Sequence, residues 1–127
     1  LVPKAEIVGR GGPVGVLYFG TTSLPIPEAL DKLAVTGIHL DTCRVRAFPF
    51  GDEVEAFVAE HDLIFVVEQN RDAQMRTLLI NELQTNPAKL ISILYFAGLS
   101  ISADFIDAQI SAYYEEHKLA RLTEVKS

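Results

Sequence analysis

The sequence predicts an α/β fold: five strands in a mostly parallel sheet, with helices covering both faces. Three observations predict it. Two short apolar runs, Val14 to Phe19 and Leu63 to Val67, are continuous instead of alternating, as expected of strands buried on both faces. The segments after them place apolar residues at helical spacing. Gly, Pro and polar clusters mark each change of period. Strands that alternate with helices pair in parallel and connect by right-handed crossovers.

The elements follow in order. Ala5 to Val8 is a short first edge strand, and Gly9-Arg10-Gly11-Gly12-Pro13 is a Gly-rich turn after it. Val14 to Phe19 is the second strand. Gly20-Thr21-Thr22-Ser23 leads into a helix whose stripe is Ile26, Ala29, Leu30, Leu33 and Ala34. Pro25 and Pro27 suit its first turn, and Gly37 closes it as a left-handed residue. Ile38 to Arg46 reads as a strand with one half-exposed face, and Phe48-Pro49-Phe50-Gly51 breaks it. Asp52 is placed to cap a helix with Val54, Phe57 and Val58 on one side. After the strand ending at Val67 comes a polar turn, Glu68 to Gln74, in which Asn70 or Asp72 can cap the next helix. That helix carries Met75, Leu78, Leu79 and Leu83, and Asn86-Pro87 stops it. Lys89 to Tyr95 is the last strand. Ser102 caps a final helix in which Ile106, Ile110 and Tyr113 share a side. Residues 118–127 show no periodicity and are expected to fray.

The chain has 127 residues, which fits one domain with a real core. Hydrophobic residues make up 49% and charged residues 22%, ordinary values for a globular chain. The net charge of −6 disfavours nucleic acid and anionic membrane as partners. No apolar run reaches the ~20 residues of a bilayer span. Leu1-Val2-Pro3-Lys4 has neither an initiator Met nor a signal pattern, so a fragment of a larger subunit is expected. Cys43 is the single cysteine, which excludes an internal disulfide and an all-cysteine iron–sulfur site. A cytoplasmic location is expected. No internal repeat or linker is visible after residue 13.

In such a sheet, ligands bind outside the carboxyl ends of the strands. Gly20–Ser23, Phe48–Gly51, Glu68–Gln74 and Phe96–Ser100 should gather there. Gly20, Thr21, Thr22 and Ser23 offer N–H groups and hydroxyls at a helix start, which suit a phosphate as well as an ordinary turn. They lack the Gly-x-Gly-x-x-Gly spacing of a dinucleotide loop. Glu68, Gln69, Asn70, Arg71, Asp72 and Gln74 exceed what capping needs, and Arg71 can pair with Glu68 or with a partner's carboxylate. Phe48 and Phe50 are candidates for an exposed apolar patch. No nucleophile elbow or triad is visible, so no catalytic residue is assigned. Cys43 reads as a core residue. His39, His61 and His117 stand at no metal-ligand spacing and read as surface or helix-end residues. Glu53, Glu55 and Glu60 read as a solvated helix face. A receiver domain of two-component signalling is rejected, because Gly20-Thr21 and Glu68-Gln69 stand where it needs acidic residues.

Val16 to Gly20, Glu28-Ala29-Leu30 and Gly37-Ile38 resemble the opening of the transketolase C-terminal-like domain. Arg46-Ala47-Phe48-Pro49-Phe50 and Val66 to Gln74 resemble, more specifically, the α subunit of 2-oxoacid:ferredoxin oxidoreductases. Phe96-Ala97-Gly98-Leu99-Ser100 before a helix resembles that family's ending, and the likeness runs from about residue 14 onward. It implies a Rossmann-like three-layer α/β/α sandwich whose first strand is antiparallel, a single domain over 1–127. It implies a support and assembly role in an enzyme that oxidatively decarboxylates a 2-oxoacid to an acyl-CoA. The parent enzyme would use thiamine diphosphate with Mg, an iron–sulfur cluster and coenzyme A, none held by this chain, and pass electrons to ferredoxin. The implied partners are the rest of the α subunit, the catalytic β subunit or a second copy. Gly20–Ser23, Arg46, Phe48, Phe50 and the Glu68–Gln74 turn are the candidate interface. The rivals are a module binding coenzyme A or another phosphate at the same edge, and the equivalent domain of a transketolase or a dehydrogenase E1 β chain.

Overall fold

The computed structural model of the chain describes residues 4–9, 11–20, 25–46, 48–69, 74–95 and 101–119. Five strands form one sheet in the order β1-β3-β2-β4-β5. They are β1 (Glu6–Val8), β2 (Val14–Phe19), β3 (Asp41–Val45), β4 (Leu63–Gln69) and β5 (Leu90–Tyr95). β2 to β5 run parallel to their neighbours, and β1 lies antiparallel on β3. The helices are α1 (Ile26–Val35), α2 (Asp52–Glu60), α3 (Met75–Leu83) and α4 (Ala103–Glu116). The fold is therefore the expected α/β class, with the first strand reversed.

The described residues belong to two compact units. The first holds the sheet with α2 and α3. Its core is Leu17, Cys43, Val45, Ile64, Val66 and Leu90 from the strands, with Val54, Phe57, Val58 and Leu79 from the two helices. Each such side chain contributes roughly 1.5–3 kcal/mol by leaving water. The register fixes which residues share a face. Ile7, Cys43, Leu17 and Val66 form one row, and Glu6, Arg44, Tyr18 and Val67 form the next row on the opposite face. The second unit holds α1 and α4. There Lys32 Nζ lies 3.2 Å from Asp104 Oδ1, an exposed pair.

Several boundaries differ from the sequence reading, each for a local reason. The strand expected over Ile38 to Arg46 begins only at Asp41. Ile38 N–H instead donates to Leu33 O at 3.0 Å, and Gly37 N–H to Ala34 O, with Gly37 at φ +87°. This Schellman closure of α1 takes the residues that would have started the strand. Asp52 does not cap α2: Gly51 holds the cap position, and no side chain bonds the helix start there. α3 ends at Leu83 because Gln84 turns left-handed, φ 53°, and Asn86 instead caps a short 3₁₀ turn over Pro87–Lys89. β4 runs two residues past Val67, so Glu68 and Gln69 belong to the strand. In α4 the buried stripe is Ala103, Ile106, Ile110 and Tyr114, so Tyr114 takes the place expected of Tyr113. Ser102 caps α4, its Oγ accepting from Phe105 N–H at 3.1 Å.

Candidate functional site

Because β2 to β5 are parallel, their carboxyl ends share one edge of the sheet. β1 is reversed, so its first residue reaches the same edge. The chain passes from β2 to β3 on one side and then to β4 on the other, so β2 and β4 flank the point where the strand order reverses. Open α/β sheets bind ligands at such a point. Gly20 follows β2, and Glu68 and Gln69 end β4. Thr21, Thr22, Ser23, Asn70, Arg71 and Asp72 lie outside the described residues, as do Phe96 to Ser100.

Polar groups converge at the tips of β1, β2 and β3. Gly20 N–H donates to Val45 O at 2.7 Å, which ties the end of β2 to β3. Arg44 Nη2 donates to Gly20 O at 3.0 Å. A Cβ at Gly20 would overlap the Arg44 side chain, so a larger residue there would shift the guanidinium. Arg44 Nη1 lies 3.5 Å from Glu6 Oε1, and Arg46 Nη1 donates to Glu6 Oε2 at 2.7 Å. One carboxylate thus bridges two arginines. Tyr18, the register partner of Arg44, has its phenol pushed above the usual range by burial, with the Arg44 guanidinium pulling the other way.

Phe48 is half exposed and meets Phe50 edge to face, 5.2 Å between centroids. Phe50 packs partly on the core, while Phe48 faces solvent. The Glu68–Gln74 turn looks different from its sequence reading where it is described. Glu68 lies on the same face as Ile64 and Val66, toward α3. Its Oε1 accepts from Met75 N–H at 2.8 Å and its Oε2 from Arg76 N–H at 3.2 Å. The carboxylate therefore serves the N-terminus of α3, where a negative charge is favoured. Gln74 occupies the cap position without a side-chain bond.

Three features escaped the sequence. His61 stands at the end of α2, one of the two places the sequence allows it, but it is buried, 3% exposed. Its Nδ1 lies 2.7 Å from Phe57 O and its Nε2 lies 2.8 Å from Asp41 Oδ2. A carbonyl only accepts, so Nδ1 donates to Phe57 O, and Nε2 faces the Asp41 carboxylate. Two glycines admit this pair. A Cβ at Gly9 would overlap the Asp41 side chain, and one at Gly15 would stand 2.6 Å from the Phe57 ring. Glu53, read as solvated, accepts from Ala5 N–H at 2.9 Å and is held below the usual carboxylate range mainly by that bond. Arg76 donates from Nε to Leu90 O at 2.9 Å and from Nη2 to Pro87 O at 3.0 Å, tying α3 to the approach of β5. A histidine or arginine that closes a corner has no periodic signature.

An open groove of about 270 Å³ lies between α2 and the segment after α3, with Val58, Ala59 and Leu83 on its walls and Glu55 and Lys89 at its rim. None of these comes from a strand tip. Cys43 is buried, and its thiol is pushed up to about 12, chiefly by desolvation. Among the described residues, no three His, Cys, Asp or Glu lie close enough to hold a metal ion. No described helix is long and apolar enough to cross a membrane.

Together these features define a class: an open α/β sheet with a reversed first strand and a polar edge at the carboxyl ends of its parallel strands. Among solved structures, the chain is similar to the 2-oxoglutarate:ferredoxin oxidoreductase from Magnetococcus marinus, determined with 2-oxoglutarate, coenzyme A and succinyl-CoA bound. The TM-score is 0.72 and the identity 22%, over 87% of this chain and 19% of that one. This chain therefore matches about a fifth of that neighbour's length, and the likeness is one of fold. No family model matches the sequence. No curated protein matches it either.

Proposed function

We propose that this chain is the transketolase C-terminal-like domain of the α subunit of a thiamine diphosphate-dependent 2-oxoacid:ferredoxin oxidoreductase. Its role is support and assembly. The parent enzyme converts a 2-oxoacid and coenzyme A to an acyl-CoA and sends the electrons to ferredoxin. One observation carries the reading: the fold likeness to a 2-oxoglutarate:ferredoxin oxidoreductase extends over 87% of the chain. The Val66 to Gln74 stretch, which resembles the same family, supports it from the sequence side.

On this reading the chain holds none of the parent's cofactors. The described residues bring no three metal-ligating groups together, and a buried, protonated Cys43 is no ligand for a cluster. Thiamine diphosphate, its Mg and the iron–sulfur cluster belong, on this reading, to other domains. The chain's own contribution is a docking edge for the rest of the α subunit or the β subunit. Phe48, Arg46 and the Glu68–Gln74 turn are its members.

The test is Arg71→Ala in the full enzyme. Size-exclusion chromatography should show weaker assembly, and coenzyme A-dependent reduction of ferredoxin by the 2-oxoacid should fall. The melting temperature of this chain should stay nearly constant. Full assembly and turnover in that variant would reject the docking edge.

A further inference from the structure

The Arg44–Glu6–Arg46 cluster has more donors than its one carboxylate can use. Each guanidinium has five N–H groups. Glu6 takes Arg46 Nη1 at 2.7 Å and approaches Arg44 Nη1 at 3.5 Å. Arg44 Nε is buried and has no hydrogen-bond partner among the described residues. The cluster sums to +1 on a chain of net charge −6. It stands at the carboxyl ends of the parallel strands, on the β1–β3 side of the sheet.

Arg44 is not held in place by Glu6 alone. Arg44 is fixed from the other side by its bond to Gly20 O and by the bare Cα of Gly20 beneath it. Glu6 comes from a strand of three residues, all exposed, at the margin of the sheet. The side chains of the three are 40–51% exposed, so the pairs are open to water. Exposed pairs of this kind are individually weak. A competing anion has little to displace.

We propose that Arg44 and Arg46 form a binding site for a small oxyanion, a phosphoryl or carboxylate group, with Glu6 as its internal occupant. The planar forks of the two guanidiniums suit two oxygens of such a group. Tyr18 is the register neighbour of Arg44 on the same face, and burial keeps its phenol protonated. Glu6 then acts as a built-in competitor. The site is available when its side chain swings away, and the apparent affinity falls by the fraction of time it is bound. The clamp uses only strand-tip residues of this chain and needs no neighbouring domain.

The experiment follows the arginine side-chain N–H resonances of residues 1–127 by NMR, titrated with inorganic phosphate and, separately, with acetate. Ionic strength is held constant with chloride. Saturable shifts at Arg44 and Arg46 with phosphate or acetate, and not with chloride, are expected, and whichever anion saturates first names the class. Glu6→Gln should tighten binding by about twofold, the gain from removing an internal competitor that holds the site about half of the time. Glu60→Gln makes the same change in net charge at the far end of α2 and should leave the affinity unchanged. Arg46→Gln, an exposed substitution, should weaken binding at least as much as Glu6→Gln strengthens it. Saturation by neither anion overturns the proposal, and so does equal tightening by Glu6→Gln and Glu60→Gln. Unaltered binding in folded Arg46→Gln overturns it as well.

Discussion

His61 and Asp41 meet below the surface, Nε2 to Oδ2 at 2.8 Å, and join the end of α2 to the start of β3. The side chains are 3% and 9% exposed. Removing one partner takes from the other the buried bond between them. His61→Leu and Asp41→Leu should each cost about 3–5 kcal/mol. The double variant should cost much less than the sum, because the two share one interaction. Urea denaturation of the three variants checks this.

Two glycines at the start of β2 and in the turn before it differ in the room around them. A Cβ at Gly15 would stand 2.6 Å from Phe57 Cζ, whereas one at Gly12 would meet nothing within 4 Å. Gly15→Ala should therefore cost about 1–3 kcal/mol through overpacking. Gly12→Ala should stay within about 0.5 kcal/mol of the parent chain. Thermal melts of the two variants decide it.

Cys43 should be inert in the folded chain. Its thiol holds its proton up to about 12, against an ordinary value of 9.0. The unfolded chain gives up that proton first, so this group contributes to stability below pH 9.0 and its contribution is lost as the pH climbs toward 12. Iodoacetamide at pH 8 should modify the native chain no faster than it unfolds. Labelling in urea should be rapid. Fast native labelling would contradict the burial of the sulfur.

Glu53 anchors the first strand through the Ala5 amide. Its carboxyl is held below the ordinary 4.5, so the bond persists above that value and is lost as the pH falls through the lowered one. Glu53→Gln should speed hydrogen exchange at Ala5 at neutral pH and leave exchange in β4 unchanged. Mass spectrometry of amino-terminal peptides reads the difference.

The legible parts of the fold were those that leave a pattern along the chain. β2 and β4 are continuous apolar runs, and the α2 face of Val54, Phe57 and Val58 repeats at helical spacing. The start of β3 was hidden because Ile38 is as apolar as a strand residue yet completes the closure of α1. Tyr113 and Tyr114 are adjacent, and only the packing shows that Tyr114 continues the stripe from Ile110. The candidate edge was legible as a place, from strand direction alone. Its chemistry was less so. Arg46 was read as a candidate, but Arg44 and Glu6 join it only through the pairing of β1 with β3, which links residues far apart in sequence. Glu68 was read as surplus polarity, and it caps α3 across the turn.

The reversed first strand has a consequence for the order of assembly. β1 bonds to β3 and not to β2, the strand that follows it in the chain. Residues 6–8 therefore have no strand to pair with until residues 41–45 are in place. The earliest strand in the sequence settles late, and it is the natural first piece to open again.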